Sequence, residues 1–347
     1  MTLEPCDETA LAAAADFIVR DIMCAKPGEQ AVITCDGATD RRGAEALFNA
    51  GRVHGVKAAV LTFPQMPFQG ALADPYIPEP VAAALKGCDL WFDCTFPYIS
   101  GSTVHAEVMK AKRTRLLAIS DLGAAGIVRM FGQVDYDKLF ELQTALDAFI
   151  AGAAGRDCRI TTPLGTDVGF VLAKPATRKL RHIDQPGTYT PPGSTVLHPE
   201  PPSVKGTVVI EAAFHEYHTK LHAPIRVEVD GKIRALSGGG VDLRVMDRAL
   251  RRAGRGEYGS IIHFSHGFHP LTRFTGRSFL EDIRVAGNDA VGFGIPWWEP
   301  GGGENHPDGV MTEQSVWIGG EPVIRDGWLV GPPELAKLER ALQPGTR

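Results

Sequence analysis

The stretch Ala31-Val32-Ile33-Thr34-Cys35 (AVITC) is an unbroken apolar and β-branched run, which is typical of a strand buried on both faces. An Ala-rich helical segment precedes it at residues 7–25 and ends at Lys26-Pro27-Gly28. A second helical segment follows at residues 40–54. Parallel strands are usually joined by a helix, because the chain must cross over before the next strand can start. The stretch therefore predicts an α/β fold in the first part of the chain.

The same alternation of helix and strand continues along the first half. The strands that follow are predicted at residues 58–62, 90–94 and 116–119, and helical segments at residues 80–85 and 103–112 separate them. This pattern predicts a mostly parallel, Rossmann-like sheet covered by helices. The GxGxxG motif of dinucleotide-binding folds is missing after the first strand, where the sequence reads Asp36-Gly37-Ala38-Thr39. We therefore interpret the sheet as a scaffold and an oligomer surface, not as a cofactor site.

The character of the sequence changes after Gly155. A helix is predicted at residues 135–153, and strands follow at residues 159–162 and 168–172. Residues 225–236, with Asp230-Gly231 at the turn, and residues 316–324 have the pattern of β-hairpins. The sequence thus predicts two domains, an α/β scaffold domain at residues 1–155 and a β-rich α+β catalytic domain at residues 156–347.

Composition excludes several classes of partner. The 347 residues are 44% hydrophobic and carry a formal net charge of −5, and no basic stripe is present that would bind nucleic acid or an acidic membrane. The N-terminus has acidic residues where a signal peptide would have basic ones, and no apolar run is long enough to span a bilayer. The six cysteines lie in the first half without a CxxC pair. We expect a cytoplasmic globular protein whose cysteines are reduced core thiols.

Nine of the 11 histidines fall between His182 and His306, and this clustering is the main functional signal. Within it, Asn305-His306-Pro307-Asp308 is the sharpest pattern, because residues two apart in an extended segment project to the same face. His306 and Asp308 are therefore predicted to be aimed together at a metal ion. The alternative is a loop in which Asp308 caps a turn before Gly309.

A metal site made of two histidines and one carboxylate needs a second imidazole from another element. The stretch IIHFSHGFHP at residues 261–270 can supply it. In a strand, His263 and His266 face opposite sides. His263 and His269 share a face but lie about 20 Å apart, whereas a metal–ligand bond is only about 2 Å long. One of the three histidines is thus predicted to be a ligand, and the other two to line the pocket.

Two further segments are candidates for the pocket. His215-Glu216-Tyr217-His218 is one residue short of the HExxH zinc motif, so we interpret it as a strand end or loop. Tyr217 and His218 are candidates for acid–base or substrate contacts, with a surface loop as the alternative. Trp297-Trp298 is either a stacking wall for an aromatic ring or an oligomer contact.

The order of these segments resembles the C-terminal domain of the M29 (thermophilic) aminopeptidases, and still more closely their mononuclear relatives, the 2,5-dihydroxypyridine 5,6-dioxygenases. The resemblance is carried by Pro192-Gly193-Ser194, residues 204–210, the Asp230-Gly231 hairpin, residues 263–270, Gly292-Phe293-Gly294 and His306-Pro307-Asp308. It spans most of the chain and implies an M29 aminopeptidase-like fold in a homo-oligomer.

Departures from the aminopeptidase pattern favour the dioxygenase branch. The aminopeptidases hold two metals with additional carboxylate and imidazole ligands. In this sequence Ser194 and His263 stand where glutamates would be, and Ala290-Val291 stands where a histidine would be. The resemblance therefore implies a single Fe(II) held by His263, His306 and Asp308, a ligand set that leaves one face of the metal open.

The function implied by the resemblance is extradiol-like cleavage, with O2, of a hydroxylated N-heteroaromatic such as 2,5-dihydroxypyridine, in the catabolism of pyridine-type compounds. A near-neutral imidazole suits removal of the substrate proton, and the candidates are His266, His269 and His218. The candidates for substrate binding are Tyr217, Trp297 and His105. Two alternatives remain: a metal-dependent hydrolase, M29-like aminopeptidase or amidase, with zinc at the same three residues, and a binding protein without turnover.

Overall fold

The protein contains one parallel and one antiparallel β-sheet, together with the helices that connect their strands. The computed structural model describes residues 3–175, 179–215, 217–295 and 306–343. The helices are α1 (Glu8–Phe17), α2 (Arg41–Val53), α3 (Glu79–Gly87), α4 (Thr103–Lys110), α5 (Ala124–Ile127), α6 (Tyr136–Gly152), α7 (Asp242–Ala253), α8 (Phe279–Asp282) and α9 (Pro333–Leu342). The strands are β1 (Gln30–Cys35), β2 (Lys57–Thr62), β3 (Leu90–Asp93), β4 (Arg115–Ala118), β5 (Asp157–Thr161), β6 (Asp167–Val171), β7 (Gly187–Tyr189), β8 (Ser194–Leu197), β9 (Lys205–Phe214), β10 (His218–Asp230), β11 (Lys232–Gly238), β12 (Ser260–Gly267), β13 (Asp289–Gly294), β14 (Asp308–Met311), β15 (Ser315–Ile318), β16 (Glu321–Arg325) and β17 (Trp328–Leu329). Within the described residues, each helix is too short or too polar to cross a membrane.

The parallel sheet belongs to the first of two compact units, which comprises Met1–Val134 and Lys179–Pro191. Its strand order is β2-β1-β3-β4-β7, and each neighbouring pair is parallel. The residues of AVITC are all buried in β1, and α2 and α3 both pack on this strand. The predicted α/β fold with a mostly parallel sheet is confirmed.

The second unit comprises Asp135–Arg178 and Pro192–Arg347 and contains a 12-stranded sheet. The main path through this sheet is β17-β16-β15-β5-β6-β9-β14-β13-β12-β8, and β9 also pairs with β10, which pairs with β11. The neighbouring strands are antiparallel. Both predicted hairpins are present, as β10 with β11 and as β15 with β16. The predicted β-rich second half is confirmed.

The two units divide the chain at other points than the predicted limits of 1–155 and 156–347. The sequence places α6 at the end of the first domain, but this helix packs on α9 and β8 in the second unit. Lys179–Pro191 returns to the first unit, because β7 adds a parallel strand beside β4. A domain boundary near Gly155 stays a prediction.

The cysteines are free thiols, and four of them lie in the core: Cys35, Cys88, Cys94 and Cys158. Burial raises the pKa of the Cys88 thiol to about 11, so this group stays protonated and unreactive near neutral pH.

The histidine-rich stretch at residues 261–270 lies mostly in β12, inside a run of five neighbouring strands. β12 pairs with β8 on one side and with β13 on the other. β13 pairs with β14, and β14 pairs with β9. This run positions the polar side chains of the candidate site.

Glu339 of α9 is a buried carboxyl group whose ionisation opposes folding. It is 2% exposed; Oε2 accepts a hydrogen bond from the backbone N–H of Leu329 at 2.8 Å, and Oε1 has no partner among the described residues. Burial raises its pKa from 4.5 to about 7. Because the folded state holds the proton more tightly than the unfolded chain does, stability falls as the pH rises from about 4.5 to 7.

We expect Glu339→Gln to remove this penalty, so that the variant gains roughly 1–3 kcal/mol over the wild type above pH 7 and little below pH 4.5. Urea unfolding of both proteins at pH 4.5 and pH 8 measures the difference. Glu334→Gln changes an exposed carboxyl of the same helix and serves as the control. A stability gain that is equal at the two pH values would contradict the prediction.

Candidate metal centre

Paired residues on neighbouring strands form one row across the sheet of the second unit. His263 in β12 pairs with Gly292 in β13, and Gly292 pairs with Asp308 in β14. Asp308 pairs with Phe214 in β9, which pairs with His218 in β10. Side chains of residues that pair directly project to the same face of a sheet. The row therefore places His263, Asp308 and His218 on one face.

His263, His306 and Asp308 bring three ligand atoms together at one end of this row. The two imidazole Nε2 atoms of His263 and His306 are 3.1 Å apart, and the Oδ1 atom of Asp308 lies 3.1 Å from the first and 3.6 Å from the second. A metal about 2.1 Å from each ligand holds them about 3.0 Å apart at right angles and about 3.4 Å apart in a tetrahedron. The three separations fit a single metal ion bound by all three side chains.

Gly292 leaves the space in which the three ligand atoms meet. A Cβ atom at this position would lie 2.3 Å from Nε2 of His263 and 2.7 Å from Nε2 of His306. Real Cβ contacts are not this short, so any side chain at residue 292 would displace the imidazoles. The glycine thus provides the cradle between the ligands on β12 and β14.

The electrostatics of this centre favour a cation. Burial opposes ionisation of Asp308, which is 1% exposed, but the nearby imidazoles outweigh it and lower the pKa of this carboxyl to about 2. Burial also opposes protonation of His306, but the charge of Asp308 outweighs it and raises the pKa of the imidazole. The carboxylate is therefore ionised and stabilises positive charge beside it, on protons or on a metal that replaces them.

His198, a histidine for which the sequence predicts no particular role, lies beside His263. It follows directly after β8, the strand that pairs with β12. Burial and, to a smaller extent, the neighbouring His263 lower the pKa of His198 to about 4. The three candidate ligands therefore have a neutral imidazole next to them. His198 lies there because β8 pairs with β12. No local pattern in the sequence around His198 predicts this pairing.

His266 and His269 do not join the three ligands. His266 points to the face of β12 opposite His263; it is fully buried, accepts a hydrogen bond from Nε2 of Gln314 at 3.0 Å, and burial lowers its pKa to about 3. His269 lies beyond the end of β12, where its backbone N–H donates to the carbonyl oxygen of Arg284 at 2.9 Å. A Cβ atom at Gly193 would lie 2.9 Å from Cβ of His269, so this histidine packs on the turn before β8.

The remaining candidates lie in different surroundings. His218 is buried, and its Nε2 is 2.8 Å from Oδ2 of Asp282. Tyr217 is 51% exposed, with its ring edge against His215. His105 belongs to the first unit, where Gly101 donates to its Nδ1 at 3.2 Å and its Nε2 is 2.7 Å from Oγ1 of Thr188. Trp297 lies outside the described residues.

Comparison with known structures defines the class of fold. The structure of 2,5-dihydroxypyridine dioxygenase from Pseudomonas putida KT2440 aligns with a TM-score of 0.73 at 17% identity, over 95% of this chain and 100% of that one. Wild-type AmpT from Thermus thermophilus, an M29 aminopeptidase, aligns with a TM-score of 0.64 at 14% identity, over 93% of this chain and 99% of that one. The fold is thus the one shared by the M29 aminopeptidases and this dioxygenase, as the sequence predicted.

The sequence profile of the NicX family, 2,5-dihydroxypyridine 5,6-dioxygenase, matches residues 21–331. This range is most of the chain, and the protein belongs to that family. No curated protein matches the sequence.

We expect Gly292→Ala to abolish stoichiometric binding of a divalent metal, because the added Cβ would occupy the space between the two imidazoles. Gly169→Ala is the matched control: it adds a Cβ to β6 of the same sheet, where the nearest atom is the carbonyl oxygen of Cys158 at 3.8 Å. Metal content after reconstitution and dialysis is the measurement. Full metal content in a folded Gly292→Ala protein would show that metal binding does not need the space left by Gly292.

Proposed function

We propose that this protein is a non-haem Fe(II)-dependent dioxygenase that opens the ring of a hydroxylated N-heteroaromatic such as 2,5-dihydroxypyridine. The observation that carries the proposal is the convergence of His263, His306 and Asp308 over Gly292, in a chain that belongs to the 2,5-dihydroxypyridine 5,6-dioxygenase family. Two histidines and one carboxylate are the ligand set of Fe(II) oxygenases. A homo-oligomeric assembly is part of the same proposal.

In this proposal the three side chains hold the metal on one side and leave the other side to the reactants. Bound Fe(II) would supply the electron transfer that lets O2 react with an aromatic ring, with both oxygen atoms entering the product as a ring C–C bond breaks. The imidazoles of His263 and His306 are each 19% exposed, so the centre can be reached from their side, whereas Asp308 lies beneath them. The buried carboxylate keeps its negative charge close to the cation, where low local polarity strengthens their attraction.

Substrate contacts are the next part of the proposal. Tyr217 is exposed and can offer its ring and hydroxyl to a ligand, and we retain Trp297 and His105 as substrate-binding proposals. His266 and His269 were proposed from the sequence as proton carriers. The buried positions that they occupy outside the ligand cluster favour a role in shaping the pocket wall over direct proton transfer.

Removal of either ligand tests the metal assignment. We expect His306→Ala and Asp308→Ala each to lose stoichiometric Fe(II), because two remaining ligands hold a metal much more weakly than three. His222→Ala removes an exposed histidine of β10 and should keep the wild-type metal content. The iron content of all three variants is measured after anaerobic reconstitution. Full iron content in both His306→Ala and Asp308→Ala would contradict the assignment of these residues as metal ligands.

The reaction is tested by reconstituting the protein with Fe(II) without oxygen and then adding oxygenated buffer with 2,5-dihydroxypyridine. We expect O2 uptake in proportion to substrate consumed, and mass spectrometry with isotopically heavy O2 should find both atoms in the ring-opened product. Zinc-loaded protein should take up no O2. Turnover with zinc in the absence of O2 would instead support the hydrolase alternative, and a folded protein that binds no metal would support the binding-protein alternative.

A further inference from the structure

Strand β2 forms one edge of the parallel sheet and exposes apolar residues along its length. Among the described residues, β1 is the only strand that pairs with it. Ala59 and Val60 are exposed, Ala58 and Leu61 are half-buried, and Val60 keeps 39% of its surface accessible. Strands of parallel sheets are normally buried on both faces, as the neighbouring β1 is. The outer side of β2 therefore has the character of a surface that a further strand covers.

The backbone of β2 offers a row of hydrogen-bonding groups to such a strand. The N–H of Lys57 donates to the carbonyl oxygen of Glu29 at 2.8 Å, so the odd-numbered residues of β2 face β1. Backbone groups alternate in direction along a strand, so the N–H and C=O groups of Ala58, Val60 and Thr62 point outward. The register with β1 is regular along the whole of β2, so no bulge interrupts this row.

Other edge strands of the protein carry features that prevent pairing with a further strand. β7 is three residues long and β17 two, and β11 exposes Lys232 and Arg234. Short length and charged side chains are the usual protection of an edge. β2 has six residues and no proline, and its single charge is on Lys57, at its first position. An edge of this kind in a folded protein indicates a partner strand, and its uncharged centre fits an equally uncharged one.

A second copy of the same strand fits this edge. The three outward-facing residues are spaced evenly about Val60, so an antiparallel copy centred there pairs Val60 with Val60 and Ala58 with Thr62. Each pair exchanges two backbone hydrogen bonds, about six in all. Lys57 of each copy then lies opposite Phe63 of the other and about 20 Å from the other Lys57, so the like charges do not meet. Pairing of one surface with itself is the geometry of a two-fold dimer.

We propose that β2 is the contact between two copies of this chain, which pair antiparallel about Val60 and join their five-stranded sheets into one continuous sheet. This inference rests on the homo-oligomeric part of the proposed function, and it does not depend on the metal or on the reaction. The sequence predicted an oligomer surface on the parallel sheet, and β2 is the strand that can provide it.

A cysteine cross-link tests the register of this pairing. In the antiparallel pair, the Cα atoms of the two Val60 residues lie about 5.5 Å apart, within the range of about 4.4–6.8 Å that a disulfide spans. We expect Val60→Cys to give a disulfide-linked dimer on oxidation with diamide. Thr62→Cys is the matched control on the same face of the strand, because its two copies would lie about 14 Å apart. It should run as a single chain on a non-reducing denaturing gel.

The mass of the assembly tests the contact without a covalent bond. Val60→Lys places two ammonium groups opposite each other at the centre of the pair, where like charges are destabilising. We expect the mass of this variant, measured by light scattering at micromolar concentration, to be half of the wild-type mass. Val241→Lys changes a valine of the second unit that is 71% exposed, and it should keep the wild-type mass.

The outcomes separate this inference from the proposed reaction, which O2 uptake measures independently. A monomeric wild type overturns the contact and leaves β2 to a strand of another protein. An oligomer whose mass is unchanged in Val60→Lys overturns the role of β2. Equal cross-linking of Val60→Cys and Thr62→Cys overturns the register. Since Val60→Cys is a small change, its failure to cross-link in a folded oligomer overturns the proposal even if Val60→Lys does not fold.

Discussion

The constraint on which the candidate site depends is the absence of a side chain at Gly292. Its two neighbours in the row, His263 and Asp308, lie on the strands to either side, and their ligand atoms can approach each other only because nothing projects from the strand between them. The ligands are thus set by strand register. A slip of one residue would turn every side chain of a strand to the other face and separate the ligands.

Two buried carboxylates, Asp308 on the face that this register creates and Asp282 on α8, each have imidazole or backbone N–H groups as partners. Asp308 is compensated by the imidazoles of His263 and His306, and Asp282 by His218 and backbone N–H groups. Burying an isolated carboxylate would cost several kcal/mol, so these pairings are conditions for the fold as well as features of a site. The two centres differ in kind, because the first gathers three ligand atoms with room for a cation and the second holds one imidazole in a fixed tautomer.

Local patterns in the sequence predicted those features of the structure that depend on residues close together in the chain. The run at residues 31–35 identified a buried parallel strand, Asp230-Gly231 identified a hairpin, and the spacing of His306 and Asp308 placed both on one face. The pairings of β8, β12, β13 and β14 were not predictable in this way, because they join segments distant in sequence through register that no local pattern encodes. Gly292 has meaning only once its neighbours are known, and the same is true of His198.

The stretch IIHFSHGFHP shows how secondary structure decides the fate of equally spaced residues. A spacing of three would keep histidines near one face of a helix. In a strand the side chains alternate between the two faces, so His263 and His266 point in opposite directions. His263 joins the row beside Gly292, whereas His266 is held in the core against Gln314, where burial lowers its pKa to about 3 and keeps it neutral. His269 falls beyond the last paired residue of β12 and packs on the turn at Gly193. The number of histidines in such a stretch that can act together is therefore limited by the period of the element that carries them. In this strand only His263 faces the other two candidate ligands, His306 and Asp308.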